Sequence, residues 1–184
     1  MKNTHAASRA VIALTVIVSL VAGLASAQEA PEISEHHKIL HKDLGTWKGT
    51  MKIFMPGQPE PMEMPITEKS TKFGDGLWIM TEFDGGPFQG RGTMGYNPMT
   101  KKYVGSWLDN MSPVLMMMTG DYDEKTKTLT TYSETIDPHM KKKKFTKSMA
   151  KHNEDGTRMF EMYERMNETD EWKKTFEIAY EKAA

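Results

Sequence analysis

The stretch that decides the fold covers residues 47–55 and has the sequence Trp-Lys-Gly-Thr-Met-Lys-Ile-Phe-Met. Trp47, Met51 and Ile53 would share one face of an extended chain, whereas Lys48 and Lys52 would share the other. Apolar and polar residues that alternate with a period of two are typical of a β-strand with one buried face. The stretch therefore predicts a strand whose apolar side chains face a core.

Similar runs follow along the rest of the chain, separated by turn-forming Gly, Pro, Asn and Asp residues. The runs are 47–55, 62–73, 77–83, 88–96, 103–110, 114–122, 129–137, 145–152, 157–166 and 171–181. Sequential strands with short links and no helical crossovers form an antiparallel meander. A long meander hides its edges by closing. The pattern predicts an all-β, up-and-down barrel of about ten strands.

A different period precedes the first strand. Apolar and histidine side chains recur at helical spacing over residues 31–44, at Ile33, His37, Leu40, His41 and Leu44. This stripe predicts a short amphipathic helix that ends at Gly45. We therefore divide the mature chain into a helical lead-in over residues 28–44 and a barrel domain over residues 45–184.

Residues 1–27 have the features of a secretory signal peptide. Lys2 and Arg9 precede an apolar stretch, and small residues at 25–27 provide a cleavage site between Ala27 and Gln28. We expect a bacterial protein that is exported to the periplasm or secreted.

Composition and charge limit the classes of partner that we expect. The mature part carries 22 basic and 25 acidic residues, a net charge of −3 that gives no basic face for nucleic acid. Several predicted strands carry lysines that lipid would not accommodate, so we predict no membrane span. The chain has no cysteine, and a mature domain of this size can fold without disulfides.

Several motifs carry a resemblance to known families. Gly45-Thr46-Trp47 resembles the Gly-x-Trp triplet that opens the first strand of lipocalins. Longer segments resemble an exported bacterial family, domain-of-unknown-function family 1579; they are residues 44–49, 90–97, 102–109, 120–123, 127–130 and 137–138. The resemblance implies a lipocalin-like barrel and no established activity.

The leading hypothesis is that the barrel binds a small apolar or amphipathic ligand without catalysis. Barrels of this size are either filled by side chains or hold one small ligand. The candidate pocket residues are Trp78, Glu82, Arg91, Trp107, Met116, Met118, Tyr132, Glu134 and Phe160. The alternative is a solid core, with the charged members facing water or paired across strands.

A second hypothesis is copper handling. Of 17 methionines, 16 lie in the mature part, and thioethers are ligands for Cu(I). His37 and His41, one helical turn apart, could hold a metal with a methionine, a carboxylate or His139 as third ligand. Two histidines on a charged helix are more often ordinary surface or packing residues.

Catalysis is the third hypothesis, as a hydrolase or isomerase on a barrel scaffold. The sequence has no P-loop, no Gly-x-Ser-x-Gly motif and no cysteine nucleophile. We therefore predict no catalytic residues and no required cofactor.

Overall fold

The computed structural model describes residues 31–138 and 140–183, in which a short helix precedes a closed barrel of ten antiparallel strands. Helix α1 spans Glu35–Leu40 and is followed by a 3-10 turn at His41–Asp43. The strands are β1 Gly45–Ile53, β2 Met62–Phe73, β3 Trp78–Gly85, β4 Phe88–Asn97, β5 Lys102–Asp109, β6 Ser112–Asp123, β7 Thr128–Ile136, β8 Lys143–His152, β9 Arg158–Arg165 and β10 Lys173–Lys182. A second 3-10 turn, Gly74–Gly76, joins β2 to β3.

Helix α1 begins with a reciprocal cap. Ser34 has an extended backbone, its N–H donates to Nδ1 of His37 at 3.1 Å, and its Oγ lies 2.8 Å from the same nitrogen. Histidine thus stands where glutamate or glutamine completes the usual capping box. His37 and Leu40 are the buried residues of the helix, which agrees with the predicted stripe.

The barrel closes because β1 pairs with both β2 and β10. Trp47 lies opposite Glu68 on one side and Lys182 on the other. The closed antiparallel barrel and its short N-terminal helix confirm these features of the predicted fold. In β10 the register shifts between Lys174 and Phe176. This bulge explains why Lys174 interrupts the apolar alternation of the last strand.

The two ends of the barrel differ, and we name them by what they hold. At the helix end, Leu40 packs with Ile79, Tyr103 and Leu129. The loop end carries the connections at residues 54–61, 86–87, 110–111, 137–142 and 166–172. A second apolar cluster lies inside the barrel, formed by Trp47, Met51, Ile66, Phe83, Ile178 and Tyr180. In the described part of the chain, no helix has the length and hydrophobicity needed to cross a membrane.

Candidate ligand-binding site

A cavity of about 280 Å³ lies inside the barrel, and all ten strands contribute to its wall. Most of its lining is apolar, as in small-molecule sites generally. Aromatic members are Phe83, Phe88, Trp107, Phe160, Phe176 and Tyr180, and methionine members are Met51, Met94, Met116, Met118 and Met162. The wall thus combines rigid rings with flexible thioethers, which can adapt to an apolar guest.

Four of the nine predicted pocket residues line this cavity: Trp107, Met116, Met118 and Phe160. The other five do not, because their side chains lie on the outer face of the barrel. Alternation places Glu82 outside when Phe83 is inside, and Glu82 pairs there with Arg91 at 3.1 Å. Glu134 pairs with Lys143 at 2.6 Å, and both side chains are exposed.

The two aromatic residues among these five, Trp78 and Tyr132, also lie on the outer face of the barrel. Trp78 packs from outside against Gly95, where a Cβ atom would lie 2.6 Å from its ring. Tyr132 is half exposed and lies against Trp172, with ring centroids 6.2 Å apart. Both rings cover the outside of the barrel and stay away from the cavity.

Trp107 owes its position to glycines. A Cβ atom added at Gly90 would come within 2.2 Å of the Trp107 ring, and one at Gly92 within 3.0 Å. The indole therefore lies flat on the inner surface of β4, in space that Cβ atoms at positions 90 and 92 would crowd. Its Nε1 donates to Asp109 at 3.1 Å, so the ring is fixed at the loop end of the cavity.

A buried polar cluster closes the cavity at the helix end. Arg158 is 6% exposed and donates to Asp43 at 2.7 Å and to Glu68 at 2.6 Å. Tyr180 donates to Glu68 at 2.7 Å, and His152 lies 2.9 Å from Asp43. The guanidinium also lies 4.0 Å from the ring centroid of Tyr180, a cation–π distance.

Charge pairing inside this cluster outweighs burial. Burial alone would raise the pKa of Asp43, but Arg158 and His152 hold that pKa below its ordinary value. Burial lowers the pKa of Arg158, yet Asp43 and Glu68 raise it further than burial lowers it. The pKa of Tyr180 is raised, first by burial and then by Glu68. Arg158 therefore stays cationic and Tyr180 neutral, and the cluster acts as an ionic plug.

Two buried nitrogen atoms of this plug lack a protein partner in the described part of the chain, and one of them is Nδ1 of His152. Nε of Arg158 is buried and makes no hydrogen bond within the described residues, although Arg158 lines the cavity. Three residues that carry hydroxyl groups, Thr131, Thr146 and Ser148, also line the cavity. Ser148 and Lys151 have the spacing of a Ser-x-x-Lys nucleophile motif, but residues three apart on a strand face opposite sides, and Lys151 is exposed. The polar wall is thus suited to hydrogen bonding, and Ser148 and Lys151 do not form a nucleophile–base pair in it.

The wall is incomplete between β6 and β7. Their backbone ladder runs from Thr119 opposite Tyr132 to Asp123 opposite Thr128 and ends there. Beyond it, residues 112–118 continue beside β5 only, and residues 133–136 beside β8 only. Met116 and Met118 line the cavity along this unpaired stretch and are half-buried. This β6–β7 seam is therefore the part of the wall with the fewest backbone hydrogen bonds.

The sequence profile of a family described as a protein of unknown function, DUF1579, matches residues 32–182. The chain belongs to this family. The match confirms the resemblance carried by the motifs at residues 44–49, 90–97 and 102–109. No curated protein matches the chain significantly. Membership in DUF1579 therefore shows the family of the chain and assigns no activity to it.

In this DUF1579 protein the two histidines that were predicted to bind a metal contact other protein groups. His37 caps helix α1, and Nε2 of His41 lies 2.8 Å from the carbonyl oxygen of Gly76. Burial, followed by the nearby His41 and His36, lowers the pKa of His37. Among residues 31–138 and 140–183, no group of three or more His, Asp or Glu could hold a metal ion. Copper binding through methionines stays a prediction, and His139 lies outside the described residues.

Sequence reasoning missed the polar plug. Glu68 shares the inner face of β2 with Ile66 and Ser70, so alternation alone could have marked it as a buried acid. Its partner Arg158 is ninety residues away, and only barrel closure brings the two together. The predicted cleavage site, Ala27 and Gln28, lies outside the described residues.

Proposed function

We propose that this protein is a lipocalin-like binding protein that holds one small apolar or amphipathic ligand inside its barrel and performs no chemistry on it. The cavity of about 280 Å³, with its aromatic and methionine wall, carries this proposal. Space beside apolar side chains forfeits their dispersion contacts unless a guest supplies them. A ligand with an apolar body would restore those contacts.

The arrangement of polar groups supports an amphipathic ligand. The apolar wall occupies the middle of the barrel, while Arg158 and Glu68 close the helix end. A few fixed polar groups in a mostly apolar pocket orient a bound molecule. A ligand with one polar head and an apolar body would match this division.

We further propose that the protein works outside the cytoplasm, in the periplasm or the medium of a bacterium. The signal-peptide features of residues 1–27 support this location. N-terminal sequencing of exported protein should begin at Gln28. An intact N-terminus on the exported chain would contradict the proposal.

The ligand hypothesis can be tested by titration with a neutral solvatochromic dye. Binding in the apolar cavity should raise and blue-shift its fluorescence with saturable, one-to-one stoichiometry. Met116→Trp replaces a flexible thioether with a larger, rigid indole in the cavity. It should weaken dye binding at least about tenfold, which corresponds to about 1.4 kcal/mol.

A neighbouring residue supplies the control. Met117 follows Met116 on β6 but points outward and is 61% exposed. Met117→Trp adds the same side chain without entering the cavity, so dye affinity should stay near that of the parent. Equal loss in both variants, or no dye binding by the parent protein, would contradict the proposed function.

A further inference from the structure

The charged side chains that line the cavity have an acidic excess. Four are acids, namely Asp43, Glu68, Asp109 and Glu164, and two are bases, namely Lys144 and Arg158. With all six ionised, the lining carries a formal charge of −2. A ligand inside the barrel is therefore surrounded by more negative than positive charge.

Both bases of the lining are already neutralised. Arg158 lies between Asp43 at 2.7 Å and Glu68 at 2.6 Å. Lys144 lies 3.0 Å from Glu164 at the loop end. Unlike these pairs, Asp109 accepts its hydrogen bonds from neutral groups, the Trp107 indole at 3.1 Å and the Met111 amide at 2.9 Å. Within residues 31–138 and 140–183, the excess charge thus includes one acid at the loop end, Asp109, that forms no ion pair.

An anionic head would be disfavoured in this setting. A carboxylate buried from water needs a cationic partner or several donors to offset its lost hydration. Each base already faces a carboxylate, and like charges repel strongly where water is excluded. A carboxylate ligand would therefore lose its hydration and gain no ion pair.

Uncharged polar heads, in contrast, find partners. Nε of Arg158 is buried without a partner within the described residues, on a side chain that is 6% exposed. Thr131 and Ser148 lie at paired positions of β7 and β8; the hydroxyl of Ser148 can donate and accept, and that of Thr131, which donates to Sδ of Met118 at 3.8 Å, can accept. A hydroxyl or amide head can use these groups, and a cationic head gains from the acidic excess.

We infer that the cavity selects amphiphiles with an uncharged hydrogen-bonding head or a cationic head, and discriminates against carboxylates and other anions. This inference rests on the proposed ligand-binding function and names the ligand class of the same site.

Competition against the neutral dye tests the inference with three amphiphiles that share one chain length: decan-1-ol, decylammonium and decanoate. At neutral pH the amine is charged, the acid is ionised and the alcohol is neutral. Decan-1-ol and decylammonium should displace the dye at concentrations at least about tenfold lower than decanoate. Displacement by decanoate at equal or lower concentration would overturn the inference while leaving the proposed function intact.

Two matched variants locate the source of the discrimination. Asp109→Asn removes one charge from the lining and should lower several-fold the ratio of the displacing concentrations of decanoate and decan-1-ol, a ratio in which a change in the Trp107 contact affects both amphiphiles alike. Asp84 lies at the same end but is exposed, and it accepts a hydrogen bond from Gly86 in its own turn. Asp84→Asn should leave the decanoate result unchanged.

The outcomes are separable. An equal gain in both variants would assign the discrimination to the net charge of the protein and overturn a role for the lining. Circular dichroism confirms that each variant is folded, and the comparison of amphiphiles on the parent protein needs no variant. If neither the dye nor any amphiphile binds, the proposed function itself fails and the inference with it.

Discussion

The helix end and the loop end of this barrel are covered by different structures. At the helix end, α1 lays Leu40 over Ile79 and Tyr103, and the ionic plug around Arg158 lies beneath. At the loop end, the links between strands take the position that α1 has at the other end. The ion pair of Lys144 with Glu164 is about one-quarter exposed there. The helix end thus holds ion pairs around the buried Arg158, whereas the ion pair at the loop end is partly exposed.

The contrast separates an end that stabilises the barrel from an end at which, under the proposed function, a ligand would enter. Burial and pairing at the helix end anchor the closure of β1 on β10. The β6–β7 seam concentrates the unpaired backbone towards the loop end, where the half-buried methionines lie. Functional surfaces are commonly the locally less stable parts of a fold.

The largest expected effect concerns the ion pairs. Arg158→Met would leave the buried Glu68 and the one-fifth exposed Asp43 without the guanidinium that lies between them, and should lower the free energy of unfolding by about 3–5 kcal/mol. Lys144→Met leaves Glu164 in contact with water and should cost about 0–1 kcal/mol. Urea unfolding of both variants measures the difference.

A compensating change sharpens this test. Adding Glu68→Gln to Arg158→Met removes one uncompensated charge and should recover part of the lost stability. Similar costs for the two single variants would show that the ends do not differ energetically.

A smaller effect is expected within a single strand. Amide hydrogens in residues 112–118 of β6 should exchange with solvent at least about tenfold faster than those in residues 119–123, a difference of about 1.4 kcal/mol in opening free energy. The reason is that only the second segment is paired with β7. Hydrogen–deuterium exchange with peptide resolution measures this, and uniform protection along β6 would contradict an open seam.

The smallest effect concerns the helix cap. Nδ1 of His37 accepts a hydrogen bond from Ser34 N–H, so a proton on Nδ1 would break the cap. Because the folded pKa lies below the ordinary value of 6.5, stability is full above about pH 6.5 and falls as pH decreases through the folded pKa. The loss should not exceed about 1 kcal/mol, the usual contribution of a cap.

His37→Gln is the matched control, because glutamine completes the capping box and does not titrate. Urea unfolding at about pH 7.5 and about pH 5.5 should show a smaller decrease for this variant than for the parent. An identical decrease in both proteins would remove His37 as the source.

Sequence alone predicted the architecture well because the period-two signal is local. Trp47, Met51 and Ile53 indicated their face without knowledge of any other strand, and the same holds for Phe176 and Ile178. Turn residues such as Asn97 and Asp123 marked the links, and their side chains accept hydrogen bonds from Met99 N–H and Lys125 N–H. Each of these features depends only on residues close in sequence.

The site was predicted less well because it depends on pairing between distant strands. Trp78 and Ile79 are both apolar, so alternation could not decide which of them faces inward; Gly95 on the next strand receives Trp78 outside. Glu82 and Arg91 were expected near a ligand, but their cross-strand register makes them an exposed pair. The plug around Arg158 required barrel closure, which no local pattern contains.

Native mass spectrometry of the protein purified from its own host tests the central claim most directly. The account predicts a one-to-one adduct with an organic molecule that is uncharged or cationic at neutral pH. The adduct should be depleted in Met116→Trp and retained in Met117→Trp. The mass of the processed chain alone, or a metal adduct only, in preparations that also fail to bind the neutral dye would contradict a ligand-binding barrel.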